Sequence, residues 1–145
     1  MKLLLIDDQQ SAFTTLKKLL AGNDDLGFEF EWAADFETGL QIIDLWKPDT
    51  TLLDLNLGPN FLADKTISSI PLIADKTCVI AITALEDKRR LMWAQCLEAG
   101  AANFLQKEHY FNADVMTRKS LIHAIFNSAK YWKENQKRHE SKKDT

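Results

Sequence analysis

The stretch LLLIDDQQ, residues 3–10, runs four apolar residues into two adjacent carboxylates. An apolar run without alternation reads as a strand covered on both faces, as in a parallel sheet. Asp7 and Asp8 repel each other, so a buried strand that delivers both to one point calls for positive charge there. Outward from this stretch, TTLLDLNL at 50–57 and CVIAIT at 78–83 repeat the pattern of a buried strand. FEFEW at 28–32 alternates instead, with Phe28, Phe30 and Trp32 on one face and Glu29 and Glu31 on the other, as in a half-exposed edge strand. ANFLQ at 102–106 completes five strands.

Helical spacing fills the gaps. Ala12, Phe13, Leu16, Leu19 and Leu20 form one apolar face, which Gly22 stops. Asp35 caps a helix whose apolar face is Phe36, Leu40, Ile43 and Trp46, with Pro48 beyond its end. Gly58-Pro59-Asn60 marks a turn. A helix is expected within 61–76, limited by Pro71. Another is expected from Glu86 to Ala99, with Leu91, Ala94 and Leu97 on one side and Gly100 as its stop. A longer one starts between Asp114 and Ser120 and carries Leu121, Ile125, Ala129 and Trp132. The last dozen or so residues read as a disordered polar tail. Strands joined through helices are parallel with right-handed crossovers. The fold class is therefore an α/β, doubly wound parallel sheet in a single domain.

Composition narrows the function. The 145 residues fit one domain, with 46% hydrophobic and 27% charged residues. A net charge of -3 gives no general attraction to nucleic acid. No apolar run approaches the roughly 20 residues that span a bilayer, and MKLLLID is too short and too acidic for a signal peptide. Cys78 and Cys96 sit in no metal-binding pattern and read as reduced thiols in a cytoplasmic protein. His109, His123 and His139 lack ligand spacing.

In such sheets the functional crevice lies at the carboxyl ends of the strands. Those ends carry Asp7 and Asp8, Asp54, Thr83 and Lys107 in turn. Each residue alone has an ordinary explanation, as a turn former, a helix cap or a solvated lysine. Together at one edge they do not. Clustered carboxylates need a cation to stay ionised, and an oxygen-only donor set suits Mg²⁺ (or Mn²⁺). No GxxxxGK[ST] loop is present to bring a nucleotide. A carboxylate can then itself be the nucleophile and form an aspartyl phosphate, and Asp54, alone on a central strand, is the candidate. Thr83 and Lys107 would meet the phosphoryl oxygens.

LLLIDDQ, LLDLNL, AITA and FLQK resemble, in order and spacing, the motifs of receiver domains of two-component response regulators, of the single-domain, chemotaxis-regulator-like kind. The resemblance covers residues 1–130. It implies a flavodoxin-like sheet of order 2-1-3-4-5 and a phosphoryl group passed to Asp54 by a sensor histidine kinase or phosphotransfer protein. It implies metal ligation by Asp8, Asp54 and the main-chain carbonyl of Asn56, with Asp7 acting through water. It also implies a switch pair, Thr83 and Phe104, and a role for Asn56 and Leu85 in setting how fast phosphate is lost. The chain departs from the family at Glu108, where a proline usually follows the lysine, at GPNFLADK after Asp54, and in a longer loop over 108–117. The final helix resembles those of receivers that continue toward a PAS or kinase module; here 131–145 is expected to extend the helix into a polar tail with no output domain.

The resulting expectation is a phosphorylatable switch that binds a downstream protein partner and catalyses only its own phosphorylation and dephosphorylation. The alternative is a phosphorylation-independent interaction module with the same fold, whose mark would be the loss of one of the five site residues. A small-molecule phosphohydrolase would need a further general acid, which the sequence does not offer. Lys130, Lys133, Lys137, Arg138, Lys142 and Lys143 are interrupted by Glu134, Glu140 and Asp144, which speaks for a solvated helix end over nucleic-acid binding. Trp93, Tyr131 and Trp132 are candidate partner contacts, the last two on a stretch expected to lie beyond the sheet, where an uncovered apolar patch would pair with a partner or a second copy.

Overall fold

The computed structural model describes residues 1–22, 26–87, 90–111 and 115–143. Five strands, β1 (Lys2–Ile6), β2 (Glu29–Ala33), β3 (Thr50–Asp54), β4 (Cys78–Thr83) and β5 (Asn103–Gln106), alternate with helices. The helices are α1 (Gln10–Leu20), α2 (Phe36–Trp46), α3 (Ala63–Ser69), α4 (Leu91–Ala99), α5 (Lys107–Tyr110) and α6 (Val115–Lys143). All strand pairs are parallel and their order is β2-β1-β3-β4-β5, as expected.

The unbroken apolar runs are explained by a sheet buried on both sides. Leu4 and Ile6 of β1 face one core layer with Ile43, Leu53, Ile70, Val79 and Cys96. Leu3 and Leu5 face the other with Leu16, Leu52, Ile80, Leu121 and Ile125. Cys78 and Cys96 are free, buried and in opposite layers, so the sheet separates them. Burial pushes both thiols up to about 12. The alternating β2 is the edge strand, with Glu29 and Glu31 exposed. Its aromatics pack inward: Phe28 lies 5.9 Å from Phe30 and 5.8 Å from Phe126 between ring centroids.

Local chemistry sets the ends of several elements. The Asp35 carboxylate accepts the Thr38 N–H at 2.7 Å and caps α2. The 61–76 region holds α3 and then a 3₁₀ turn, Ile70–Leu72, with Pro71 in its first positions, where its missing N–H costs nothing. β3 stops at Asp54, not at 57, because the chain turns out of the sheet as the Asn56 N–H bonds back to the Asp54 carboxylate at 3.2 Å.

The fourth helix differs most from expectation. It begins at Leu91, not Glu86, and residues 88–89 lie outside the described residues. Arg90 takes a left-handed conformation (φ 54°) that a helix cannot pass through. The Asp87 carboxylate, reaching over it, accepts the N–H groups of Met92 at 3.2 Å and Trp93 at 2.9 Å. The buried side of α4 is Met92, Cys96 and Ala99, while Leu91 and Ala94, expected inside, are exposed.

The polar tail is also helical: α6 runs unbroken to Lys143, so the expected disorder is not seen among the described residues. The side chains of Lys142 and Lys143, and all of residues 144–145, lie outside the described residues. Lys, Glu, Gln and Arg favour the helix, and Trp132 anchors it. Its indole N–H donates to the Ala74 carbonyl at 2.7 Å, and its ring packs on the second core layer. Trp132 therefore does not lie on an uncovered stretch; of that pair only Tyr131, 55% exposed, faces solvent.

Gly39 of α2 lies against Ile6, the residue before the acidic pair. A Cβ built there meets the Ile6 Cδ1 atom and comes within 2.9 Å of Cγ1, and Ile6 is fully buried. Gly39→Val is expected to cost about 2 kcal/mol, within the range for overpacked cores, measured as a lower urea midpoint with an unchanged m-value.

Candidate functional site

Parallel register brings the strand ends together. Ile6 is level with Ala33 and Leu53, Asp54 with Ile82, and Thr83 with Gln106. The next residue on each strand carries the chemistry. Asp7 follows β1, Asp54 ends β3, Thr83 ends β4, and Lys107 follows β5 as the first residue of α5. The Phe111 N–H bonds to the Lys107 carbonyl at 2.8 Å and closes that one-turn helix. With Glu108 in the usual proline position, the lysine sits on a helical turn, and Tyr110 and Phe111 beneath it pack on the core.

The Lys107 ammonium bonds to Asp7 Oδ2 at 2.7 Å and to Asp54 Oδ2 at 3.3 Å. Asp7 is fully buried, and its Oδ1 accepts the Gln9 N–H at 2.8 Å, so both of its oxygens are engaged. Asp8 is exposed. One carboxylate oxygen from each of Asp7, Asp8 and Asp54 lies within 4.8 Å of the others. Three acids facing one lysine leave a negative excess at an open point, and such a donor set fits a hard divalent cation.

Asp54 and Lys107 both depart from their ordinary values. Burial pushes Asp54 up to about 6; Lys107 pulls against this, and Asp7 adds to it. Burial works against the Lys107 charge as well, but its bonds and attraction to Asp7 and Asp54 outweigh that and hold it above its ordinary value.

A cleft of about 440 Å³ opens over Asp54, lined among others by Asp8, Asn56, Ala84, Leu85 and Lys107. Leu85, 41% exposed, and Leu62, 52% exposed, make its rim apolar. Asn56 is exposed, and its side chain accepts the Gly58 N–H at 3.4 Å, within its own turn. Thr83 is buried directly before the cleft residues Ala84 and Leu85, and its hydroxyl oxygen accepts the Leu85 N–H at 3.0 Å. Phe104 lies apart, partly buried, in a second hollow of about 330 Å³ shared with Asp87, Arg90, Trp93 and Gln106. Asp7, Asp8, Asp54 and Lys107 thus converge, with Asn56 and Leu85 beside them and Thr83 buried at the same strand edge, while Phe104 lies in the neighbouring hollow. Tyr131 and Trp132 line a separate groove with Ala74 and Gly100.

Sequence reasoning did not single out Trp32, whose indole N–H donates to the Asp7 carbonyl at 2.8 Å. Its place on the inward face of FEFEW was a signal, since a covered indole N–H needs an acceptor.

A profile of the family described as response regulator receiver domain matches residues 3–118. The chain belongs to that family, whose members work in two-component phosphorelay signalling. Solved structures share the fold. A CheY-like receiver domain protein from Methanospirillum hungatei is 19% identical, with a TM-score of 0.70 over 92% of this chain and 97% of its own. The response regulator domain of Thermotoga maritima CheB is 21% identical, with a TM-score of 0.70 over 90% of this chain and 96% of its own. A response regulator protein from Burkholderia pseudomallei, solved with a phosphorylated aspartic acid, calcium ion and citrate, is 22% identical, with a TM-score of 0.63 over 92% of this chain and 72% of its own. No curated protein matches the chain. Among the described residues no helix is long and apolar enough to cross a membrane.

The raised Asp54 value has a stability consequence. Folding favours its neutral form, so the destabilisation is absent below about 3.8, grows as pH rises, and is complete above about 6. Its size is on the order of 2–3 kcal/mol. In the presence of a chelator, Asp54→Asn is expected to unfold at a higher temperature than the wild type at pH 8, with the difference vanishing near pH 4.

Proposed function

We propose that the protein is a phosphorelay switch in which Asp54 accepts a phosphoryl group from a phosphohistidine on a sensor histidine kinase or phosphotransfer protein. The observation that carries this reading is the Asp54 carboxylate on the floor of an open cleft, held by a lysine that it shares with a buried aspartate. The aspartic acid phosphorylated in the Burkholderia pseudomallei protein of the same fold supports it. Asp54 attacks the phosphorus; an O–P bond forms as the N–P bond breaks, and the histidine nitrogen leaves with the electron pair and takes a proton from solvent. Lys107 neutralises a phosphoryl oxygen as a point charge. Asp7, with both oxygens engaged, keeps that ammonium in place.

The residues that would hold Mg²⁺ or Mn²⁺ are Asp8, Asp54 and the main-chain carbonyl of Asn56, with Asp7 behind them. A divalent cation there neutralises charge on the entering phosphoryl group. Leu85 has no group with which to orient a hydrolytic water, which favours a persistent phosphoryl group. The switch is a shift between two states, biased by contacts that the phosphoryl group makes better in one of them. Thr83 turns toward it and Phe104 enters the space released. Phe104 has no hydroxyl, so it strands no polar group in either position. Its hollow, lined by Arg90 and Trp93, carries the change to a protein partner.

Incubation with acetyl phosphate and MgCl₂ is expected to add the mass of one phosphoryl group to the wild type and none to Asp54→Asn. A phosphoryl group on Asp54→Asn, or none on the wild type, would place the function elsewhere. Asp8→Ala is expected to bind Mg²⁺ more weakly by on the order of tenfold or more, measured by calorimetry; unchanged affinity would remove Asp8 from the ligand set.

A further inference from the structure

Trp32 sits on edge strand β2, beside β1, and reaches the acidic pair through its backbone. Its indole N–H donates to the Asp7 carbonyl at 2.8 Å. That carbonyl belongs to the peptide joining Asp7 to Asp8. On the other side of Asp7, its own N–H donates to the Ala33 carbonyl at 3.0 Å. Two consecutive β2 residues therefore clamp the backbone that carries both acids. The indole is itself held, stacked on Phe13 of α1 with 6.2 Å between centroids and 13° between planes.

The clamp matters most for Asp8. Asp7 is buried, with both oxygens bonded, and Asp54 bonds to Lys107 and to the Asn56 N–H. Asp8 is the exposed member of the trio, its carboxylate within 4.8 Å of two other acids. Repulsion favours outward movement, by the side chain's own rotamers or by a tilt of the Asp7–Asp8 peptide that carries it. A donor fixed on that peptide's oxygen opposes the second, so the rotamers of Asp8 are sampled from a fixed base.

We infer that Trp32 is a positioning residue for the divalent-cation site, holding the Asp7–Asp8 peptide so that the exposed carboxylate stays beside Asp54. This rests on the phosphoacceptor reading of the same site and adds a residue to it. A site held in its binding geometry before the cation arrives binds more tightly, because less ordering remains to be done.

Trp32→Phe keeps a ring against Phe13 and removes the N–H. Calorimetric titration with MgCl₂ is expected to show binding weaker by about 2- to 10-fold, the range for one hydrogen bond, while Trp46→Phe, at the end of α2, matches the wild type. A second measurement needs no variant. In the ¹H–¹⁵N spectrum of the wild type, the indole signal of Trp32, assigned through its contact with Phe13, is expected to move further on adding MgCl₂ than that of Trp46. Equal Mg²⁺ affinity in wild type and Trp32→Phe, or a Trp32 signal that moves no further than that of Trp46, overturns this inference alone. A wild type that takes up neither Mg²⁺ nor a phosphoryl group from acetyl phosphate overturns the phosphoacceptor reading, and this inference with it.

Discussion

One ammonium ion, shared at 2.7 Å with Asp7 and at 3.3 Å with Asp54, holds the working end of the molecule together. Asp7 is fully buried, and an unpaired ionised carboxylate there would be costly. Lys107 makes it tolerable and in doing so ties the ends of β1, β3 and β5 to one another. The pairing leaves the charge unbalanced, three acids to one base, and the remainder falls on the exposed side, at Asp8 and the face of Asp54 that looks into the cleft. The charges that hold the strand ends together and the charge left over therefore sit on the same few atoms. The buried aspartate gives the lysine its place, and the uncompensated charge leaves a set of oxygen donors that fits something positive.

Much of this was legible in the chain. Short continuous apolar runs between turn residues fit strands covered on both faces, and in a parallel sheet every strand then points its carboxyl end to the same edge. Once LLLI, TTLL and CVIAIT are strands, Asp7, Asp54 and Thr83 must share that edge, whatever the loops do. The family resemblance followed from the same residues and agrees with the match over residues 3–118.

The illegible parts share a cause: each depends on a contact distant in sequence or on one unusual backbone angle. Helical spacing could not show that Arg90 would turn left-handed and shift the start of α4. The sequence put Trp132 on the last helix but beyond the sheet, because its acceptor is a carbonyl 58 residues away. Trp32 went unassigned for the same reason, since its acceptor lies across a strand boundary at Asp7. The bond that the Thr83 hydroxyl accepts from the Leu85 N–H, in the turn it begins, was not legible either.

The bond from Trp132 to Ala74 has a mechanical meaning. Helix α6 starts just after the segment that carries Lys107 and passes across the sheet to the loop before β4, where that bond fastens it. The stretch from Val115 to Trp132 is about 26 Å long at the usual helical rise. Along that length Leu121, Ile125 and Ala129 are buried as well, so the rod is seated on the sheet and fastened at its far end. The helix therefore braces the sheet from the β5–α5 corner to the loop before β4, and a shift at either end has to be taken up by the whole rod.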